Sequence, residues 1–199
     1  MSVPRVWVNG RLLDGDEPAV AALDHGFVVG DGVFEATKIV DGTPFALTRH
    51  HDRMARSVAG FGLPTADRDR FAEGIEAVLG AGPSIGFGKL RWWLTGGVGP
   101  LGSDRWEEPE TPSPSYLGAA QEIAPRTPTT HVHVVPWTRN EHAATAGLKT
   151  TSYADNVIAL AAAHRAGASE AIFANTRGEL CEGTGSNVFV VAGGEILTP

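Results

Sequence analysis

The sequence predicts an α/β chain of the α+β kind. It reads as a small two-layer α/β N-terminal domain over residues 1–121, an interdomain linker over 122–130 and a mainly β C-terminal domain over 131–199. Three observations carry this. Hairpin and alternating-strand signals share the first half with two helical stretches. The segment Glu-Ile-Ala-Pro-Arg-Thr-Pro-Thr-Thr (122–130) contains two prolines, which break helix and strand alike. Beyond it, short β-type runs outnumber a single helical pattern.

Taken in order, Arg5–Val8 and Arg11–Leu13 flank Asn9-Gly10, the strongest short hairpin signal. Phe34–Val40 alternates apolar and polar residues as a half-buried strand does, and Asp41-Gly42 turns the chain into a second strand at Pro44–Leu47. Thr48 is expected to cap a helix running to Phe61, stopped by Gly62 and Pro64. A second helix over Asp67–Leu79 places Phe71, Ile75, Val78 and Leu79 on one face. Lys89–Leu94 reads as a buried strand, followed by a Gly/Pro-rich loop over Thr95–Pro114 and a short strand around Tyr116.

After the linker, His131–Val135 is a strand and Tyr153–Arg165 an amphipathic helix with Ser152 as its cap. Ala171–Ala174, Leu180–Cys181, Val188–Val191 and Ile196–Thr198 read as further strands. The last of these has barely begun at Pro199, so the C-terminal domain is expected to be incomplete.

Composition narrows the function classes. A formal charge of −7 opposes non-specific binding to nucleic acid or anionic lipid, and no apolar run is long enough for a membrane span. The N-terminus shows no basic segment followed by an apolar core, and the single cysteine, Cys181, rules out an internal disulfide; together these predict a cytoplasmic protein. Arginines outnumber lysines by thirteen to three, which favours an anionic small-molecule ligand held by guanidinium groups.

Of the three lysines, Lys149 has the most informative setting. It lies in Gly-Leu-Lys-Thr-Thr-Ser-Tyr-Ala-Asp-Asn (147–156), between a small-residue stretch and a helix start. About thirty residues on comes Glu-Gly-Thr-Gly-Ser-Asn-Val-Phe-Val-Val (182–191). One lysine for a Schiff base and one carboxylate to keep a pyridine nitrogen protonated is what pyridoxal phosphate requires. Gly183, Thr184, Gly185, Ser186 and Asn187 offer amides and hydroxyls without bulk, able to approach a flat ring or a phosphate. Arg53, on the first helix in His-His-Asp-Arg-Met (50–54), is the candidate for the phosphate dianion.

Two tempting motifs fail. Gly97-Val98-Gly99-Pro100-Leu101-Gly102 matches the dinucleotide fingerprint, but Pro100 and the sequence after it cannot open the helix that fingerprint needs. His131 and His133 share a strand face without a further ligand at metal spacing, so no metal is expected.

Together these segments resemble the class IV, branched-chain-type family of pyridoxal phosphate enzymes. Its members include branched-chain aminotransferases, D-amino acid aminotransferases and 4-amino-4-deoxychorismate lyases. The resemblance runs through Leu23-Asp24-His25-Gly26 with Gly30-Asp31-Gly32-Val33-Phe34-Glu35, and His50-x-x-Arg53-Met54-x-x-Ser57. It continues in Lys149-x-x-x-Tyr153-x-x-Asn156, and Gly167-Ala168-x-Glu170-Ala171 through Glu182-Gly-x-Gly-x-Asn187. It implies a small α/β domain and a larger pseudo-barrel domain, with Lys149 as the Schiff-base lysine, Glu182 on the pyridine nitrogen and Arg53 on the phosphate. It further implies Tyr153 on the ring phenolate, Gly185, Ser186 and Asn187 in the cofactor loop, Phe34 on the substrate side, and a homodimer. Family members continue past Pro199 into a turn that completes the phosphate cup.

The resemblance leaves the reaction open. The Lys149–Asn156 segment looks more like lyase segments, because branched-chain aminotransferases usually carry asparagine where Ser152 stands. Ala36 stands where many lyases have threonine, a departure from the lyase pattern; the alternative is an aminotransferase acting on branched-chain or D-amino acids with a 2-oxo acid acceptor. Arg91 and Arg105 are candidates for the substrate carboxylate, the alternative being that both face solvent. A competing class is a catalytically impaired homologue that serves as a dimerising scaffold.

Overall fold

A computed structural model describes residues 3–105, 113–125 and 127–199. The chain divides into two compact units, Met1–Pro125 with Gly147–Ser152, and Arg126–Ala146 with Tyr153–Pro199. The short segment carrying Lys149 therefore packs with the first unit, although it lies beyond the linker in sequence.

The first unit is built on six antiparallel strands. These are β1 (Arg5–Val8), β2 (Arg11–Leu13), β3 (Gly32–Val40), β4 (Thr43–Pro44), β5 (Phe87–Thr95) and β6 (Ser115–Glu122), in the order β2-β1-β6-β5-β3-β4. The Asn9-Gly10 hairpin forms as its sequence predicts, with both turn residues at positive φ. A single turn of helix, α1 (His25–Val28), precedes β3, with Asp24 accepting from the Gly26 N–H as its cap. Helices α2 (Leu47–Phe61) and α3 (Arg68–Gly80) cover one face of the sheet. Between them lies a core of Trp7, Ile39, Met54, Val58, Phe71, Ile75, Val78, Leu90, Trp92 and Leu94. Each such side chain, fully removed from water, stabilises by roughly 1.5–3 kcal/mol. Gly74 lets α3 approach closely, since a Cβ there would stand 2.6 Å from the Trp7 ring.

Several local expectations change. The strand at Pro44–Leu47 shrinks to β4, and Leu47 opens α2. Thr48 is not its cap: Ala46, in the left-handed region, takes that position without a side-chain bond. Asp67 does cap α3, accepting from the Asp69 and Arg70 amides, and Gly62 closes α2 at φ 69°. The strand around Tyr116 is eight residues long and sits inside the sheet between β1 and β5. Its Gly118 and Ala119 carry too little side chain for a strong strand signal. The loop 95–105 packs as a turn, with His25 N–H donating to Gly97 O and Gly99 lying against the His25 ring. Residues 106–112 of the expected loop lie outside the described residues.

In the second unit, β7 (Val132–Arg139) and β8 (Glu170–Asn175) pair in parallel, joined through α4 (Ala154–Arg165). Strand β9 (Leu180–Gly183) pairs antiparallel to β8. The core is small: Val135, Ala159, Ala163, Ala168, Ala171 and Phe173. A separate hairpin, β10 (Val190–Ala192) and β11 (Glu195–Leu197), turns at Gly193-Gly194, both at positive φ. Helix α4 begins at Ala154 with Tyr153 at its cap position, and Ser152 does not cap it; the Ser152 hydroxyl donates to Gly30 O instead.

Candidate active site

On the first unit the site is assembled along β3 and α2. The backbone around Lys149 lies against the start of β3: Phe34 N–H donates to Lys149 O (2.9 Å) and Thr151 N–H to Gly32 O (2.8 Å). Lys149 N–H donates to Ser57 Oγ on α2 (3.1 Å). Gly60 leaves room for Leu148, since a Cβ there would stand 2.7 Å from Leu148 Cδ2. Lys149 is thus fixed by main-chain bonds on both sides, while its Nζ stands 4.3 Å from the centre of the Phe34 ring. The Arg91 guanidinium stacks on the same ring at 3.9 Å, and lies 5.0 Å from Trp93. Phe34, Arg91 and Lys149 therefore share one aromatic platform.

Arg53 lies one helical turn before Ser57, on the same face of α2. Its Nε and Nη2 donate to the carboxylate of Glu35 at 2.5 and 2.6 Å, and His50 Nδ1 stands 2.7 Å from the same group. Glu35 is 0% exposed, in the middle of β3. Burial alone would raise its pKa, yet the bonds from Arg53 and His50 outweigh it and hold the carboxyl below its ordinary range. The residue types of this cluster are legible in sequence; its buried partner was missed, because a lone Glu in an alternating strand reads as a solvent-facing position.

Arg105 has a different setting. Its Nε and Nη2 donate to Asp31 (2.8 and 2.5 Å), Nη1 to Gly62 O (2.6 Å) and Nη2 to Phe61 O (3.1 Å). Nη1 and Nη2 strap the loop to the end of α2 while Nε and Nη2 hold Asp31, so the carboxylate-binding role is carried forward for Arg91 alone.

On the second unit, Glu182 is half-exposed on β9 and stands 2.8 Å from Arg139 Nε, an ion pair whose angle falls short of a directed hydrogen bond. Arg139 in turn lies over the Phe173 ring at 4.2 Å. The turn after Glu182 is closed by Gly183 N–H donating to Ser186 O. Glu170 holds it from below, accepting from Thr184 N–H, Thr184 Oγ1 and Ser186 Oγ (3.0, 2.5 and 2.7 Å). Desolvation opposes ionisation of Glu170, but these bonds bring its pKa below the ordinary value. Asn156 on α4 adds a bond to Thr184 O at 2.6 Å. Gly185 has open space where a Cβ would stand. Tyr153 is half-buried at the start of α4, and Asn187 follows the turn. Glu170 and Arg139 are organisers that sequence reasoning did not assign; Glu170 alone left a signal, its place directly before the buried run Ala171–Phe173.

The family model for amino-transferase class IV matches residues 32–199. The chain belongs to the class IV aminotransferases. A Methanocaldococcus jannaschii protein bearing the name of a branched-chain-amino-acid aminotransferase is 30% identical over 98% of this chain and 68% of its own length. The aminodeoxychorismate lyase of Bacillus subtilis is 27% identical over 98% of this chain and 67% of its own. A hypothetical aminotransferase from Mycobacterium tuberculosis, in its PLP-bound form, superposes with a TM-score of 0.79 at 26% identity, covering 98% of this chain and 70% of that one. This class IV chain is accordingly a pyridoxal-phosphate-dependent enzyme, and its mixed α/β architecture is that of fold-type IV transaminases. No helix among the described residues is long and apolar enough to cross a membrane.

Each unit taken by itself presents groups of a kind that suits pyridoxal phosphate: the first an amine on an aromatic ring and a guanidinium held in a fixed plane, the second a carboxylate and an open turn of hydroxyls and amides.

Proposed function

We propose that this class IV enzyme is a 4-amino-4-deoxychorismate lyase, releasing pyruvate and 4-aminobenzoate from its substrate. The observation that carries this reading is the platform on which Phe34 lies beneath both Lys149 Nζ and the Arg91 guanidinium. A flat ring bearing a carboxylate and an amine matches that arrangement: the ring stacks, the carboxylate meets Arg91, the amine faces Lys149.

Pyridoxal phosphate, when bound, supplies an electron-accepting ring conjugated to the substrate nitrogen. Lys149 would hold the cofactor, and its amine, when free, would take the proton from the substrate carbon that bears nitrogen. The bond to the enolpyruvyl oxygen breaks, the ring becomes aromatic, and the departing enol takes up a proton as pyruvate. Glu182, kept beside Arg139, holds a proton at the pyridine nitrogen. Arg53 would hold the phosphate, Tyr153 would hydrogen-bond the ring oxygen, and Gly185, Ser186 and Asn187 would line the cofactor. The working form is a homodimer.

The second reading is an aminotransferase acting on branched-chain or D-amino acids with a 2-oxo acid acceptor. It is favoured by Ala36, which pairs across the sheet with Arg91 and leaves no hydroxyl beside the platform.

The deciding experiment offers the purified protein aminodeoxychorismate with no acceptor and, in parallel, branched-chain and D-amino acids with 2-oxoglutarate. Acceptor-free release of pyruvate and 4-aminobenzoate is expected. Acceptor-dependent production of a new keto acid, without that release, would replace the lyase by the aminotransferase. Lys149→Ala should lower turnover by about 10²–10⁴-fold or more, the contribution of a positioned proton carrier, and remove the visible absorbance of the bound cofactor.

A further inference from the structure

We propose that Glu35 is the positioning residue for the cofactor's phosphate, a buried carboxylate that fixes the plane of the Arg53 guanidinium so that its outer edge is presented to a phosphate monoester. The inference rests on the reading that Arg53 holds the phosphate.

The placement is unusual for an acid. Glu35 sits at the centre of β3, on the face of the sheet that α2 and α3 cover, opposite Trp92 on β5. Its neighbours on this face, Val33, Thr37 and Ile39, are buried with it. An apolar side chain would fill the same position, and replacing a buried ion pair by packed apolar residues is often neutral or stabilising. Stability alone therefore does not call for a carboxylate here.

Its partners supply the reason. Arg53 and His50 are three residues apart on α2 and both reach inward to Glu35. The pair is asymmetric: the Glu35 side chain is 0% exposed and that of Arg53 is 45% exposed. Glu35 takes the side-on edge of the guanidinium, Nε and Nη2, in a bidentate fork. Because the five N–H groups are coplanar, fixing that edge fixes the direction of the opposite one, Nη1 with the second hydrogen of Nη2. His50, lying edge-on to Trp92, buttresses the carboxylate from the side. The same helix face carries Ser57, which holds the Lys149 main chain one turn further on. Glu35 thus fixes one of two cofactor-directed groups that share a single rigid element.

Charge and geometry make opposite predictions for Glu35→Gln, which is what allows a test. Removing a negative charge beside Arg53 should tighten phosphate binding if net charge governs. Losing the fork should weaken it if orientation governs. The experiment measures dissociation constants of the cofactor-free full chain for pyridoxal phosphate and for pyridoxal, which lacks the phosphate, and compares their ratio across variants. Glu35→Gln is expected to weaken pyridoxal phosphate by about tenfold or more, the loss of a charge-assisted bond, and to leave pyridoxal within about twofold. Arg53→Ala should collapse the same ratio, and Glu35→Gln added to Arg53→Ala should change it no further.

A Glu35→Gln protein that binds pyridoxal phosphate as tightly as the parent, or more tightly, overturns the proposal. If Arg53→Ala leaves the ratio unchanged, the phosphate reading of Arg53 fails and this inference with it; if Arg53→Ala collapses it and Glu35→Gln does not, only the inference fails. Should Glu35→Gln lose pyridoxal binding and its cooperative melt together, Glu35→Asp is read in its place. That variant keeps the buried charge and withdraws the fork by one methylene, with the same two outcomes.

Discussion

The two units hold several of their acids differently, although each also has the other kind: Asp24 of the first accepts from the Thr95 and Ser115 hydroxyls and the Gly26 amide, and Glu179 and Glu182 of the second meet arginines. In the first, Glu35 and Asp31 are buried and each meets an arginine fork at 2.5–2.8 Å. In the second, Glu170 and Glu141 are held by hydroxyls and amides, from Thr184 and Ser186 in one case and Thr176 in the other. The cores differ in parallel. The first unit packs tryptophans, Met54, Phe71 and branched aliphatics between sheet and helices; the second has four alanines around Val135 and Phe173. A dense core surrounds buried charge with a low dielectric, in which a misplaced ion costs most, so each buried acid there is fully bonded: Glu35 and Asp31 by arginine forks, Asp24 by two hydroxyls and an amide. A thin core beside an exposed turn leaves acids partly hydrated, and hydroxyls and amides suffice.

That contrast can be broken most severely at Phe173, the one aromatic side chain in the second core among the described residues. Phe173→Ala should cost about 3–5 kcal/mol and raise hydrogen exchange in β7–β9 while the first unit's strands keep their protection. Equal loss of protection in both units would show that the two cores unfold as one and that the comparison between them has no energetic meaning.

Asp31→Asn tests the charged half. It leaves Arg105 without its acid, and, discounted for the part-exposed guanidinium, should destabilise the first unit by about 1–3 kcal/mol. A denaturant midpoint unchanged from the parent would mean that the ion pair between Arg105 and Asp31 contributes nothing.

The smallest effect is expected in acid. Glu141 is held near a pKa of about 2, first by its own backbone amide and then by the hydroxyl and amide of Thr176. Glu170 also lies below the ordinary 4.5, its hydrogen bonds outweighing desolvation. A depressed carboxyl contributes stability above its unfolded pKa and loses it as pH falls through the folded value. Protection of the 183–186 turn should therefore fade below pH 4.5, and the Glu141 contribution should persist towards pH 2. Thr176→Val should move the Glu141 titration upward in a carboxyl-resolved NMR experiment; an unmoved titration would remove the hydroxyl from the account.

Much of this was legible in the chain itself. Asn9-Gly10 and Gly62 act where they stand because a turn or helix stop depends on the backbone conformations of its own few residues. The order Arg53, Lys149, Glu182 carried the family resemblance, and the Gly97–Gly102 run betrayed itself through Pro100. Other features lay beyond local reading. The eight-residue β6 takes its place from β1 and β5 on either side, which outweighs the weak propensity of Gly118 and Ala119. Ala46 displaces Thr48 at the helix start because the chain enters α2 from β4 through the left-handed region at Ala46, two residues before Thr48. Only the tertiary structure returned residues 147–152 to the first unit, stacked Arg91 and Lys149 on one ring, and turned Glu35 inward to meet Arg53. The chain determined which chemical groups were present and in what order. Which of them meet depends on long-range pairing along β3, where the facing strand and the covering helix, and not the residue's neighbours in sequence, decide what a side chain touches.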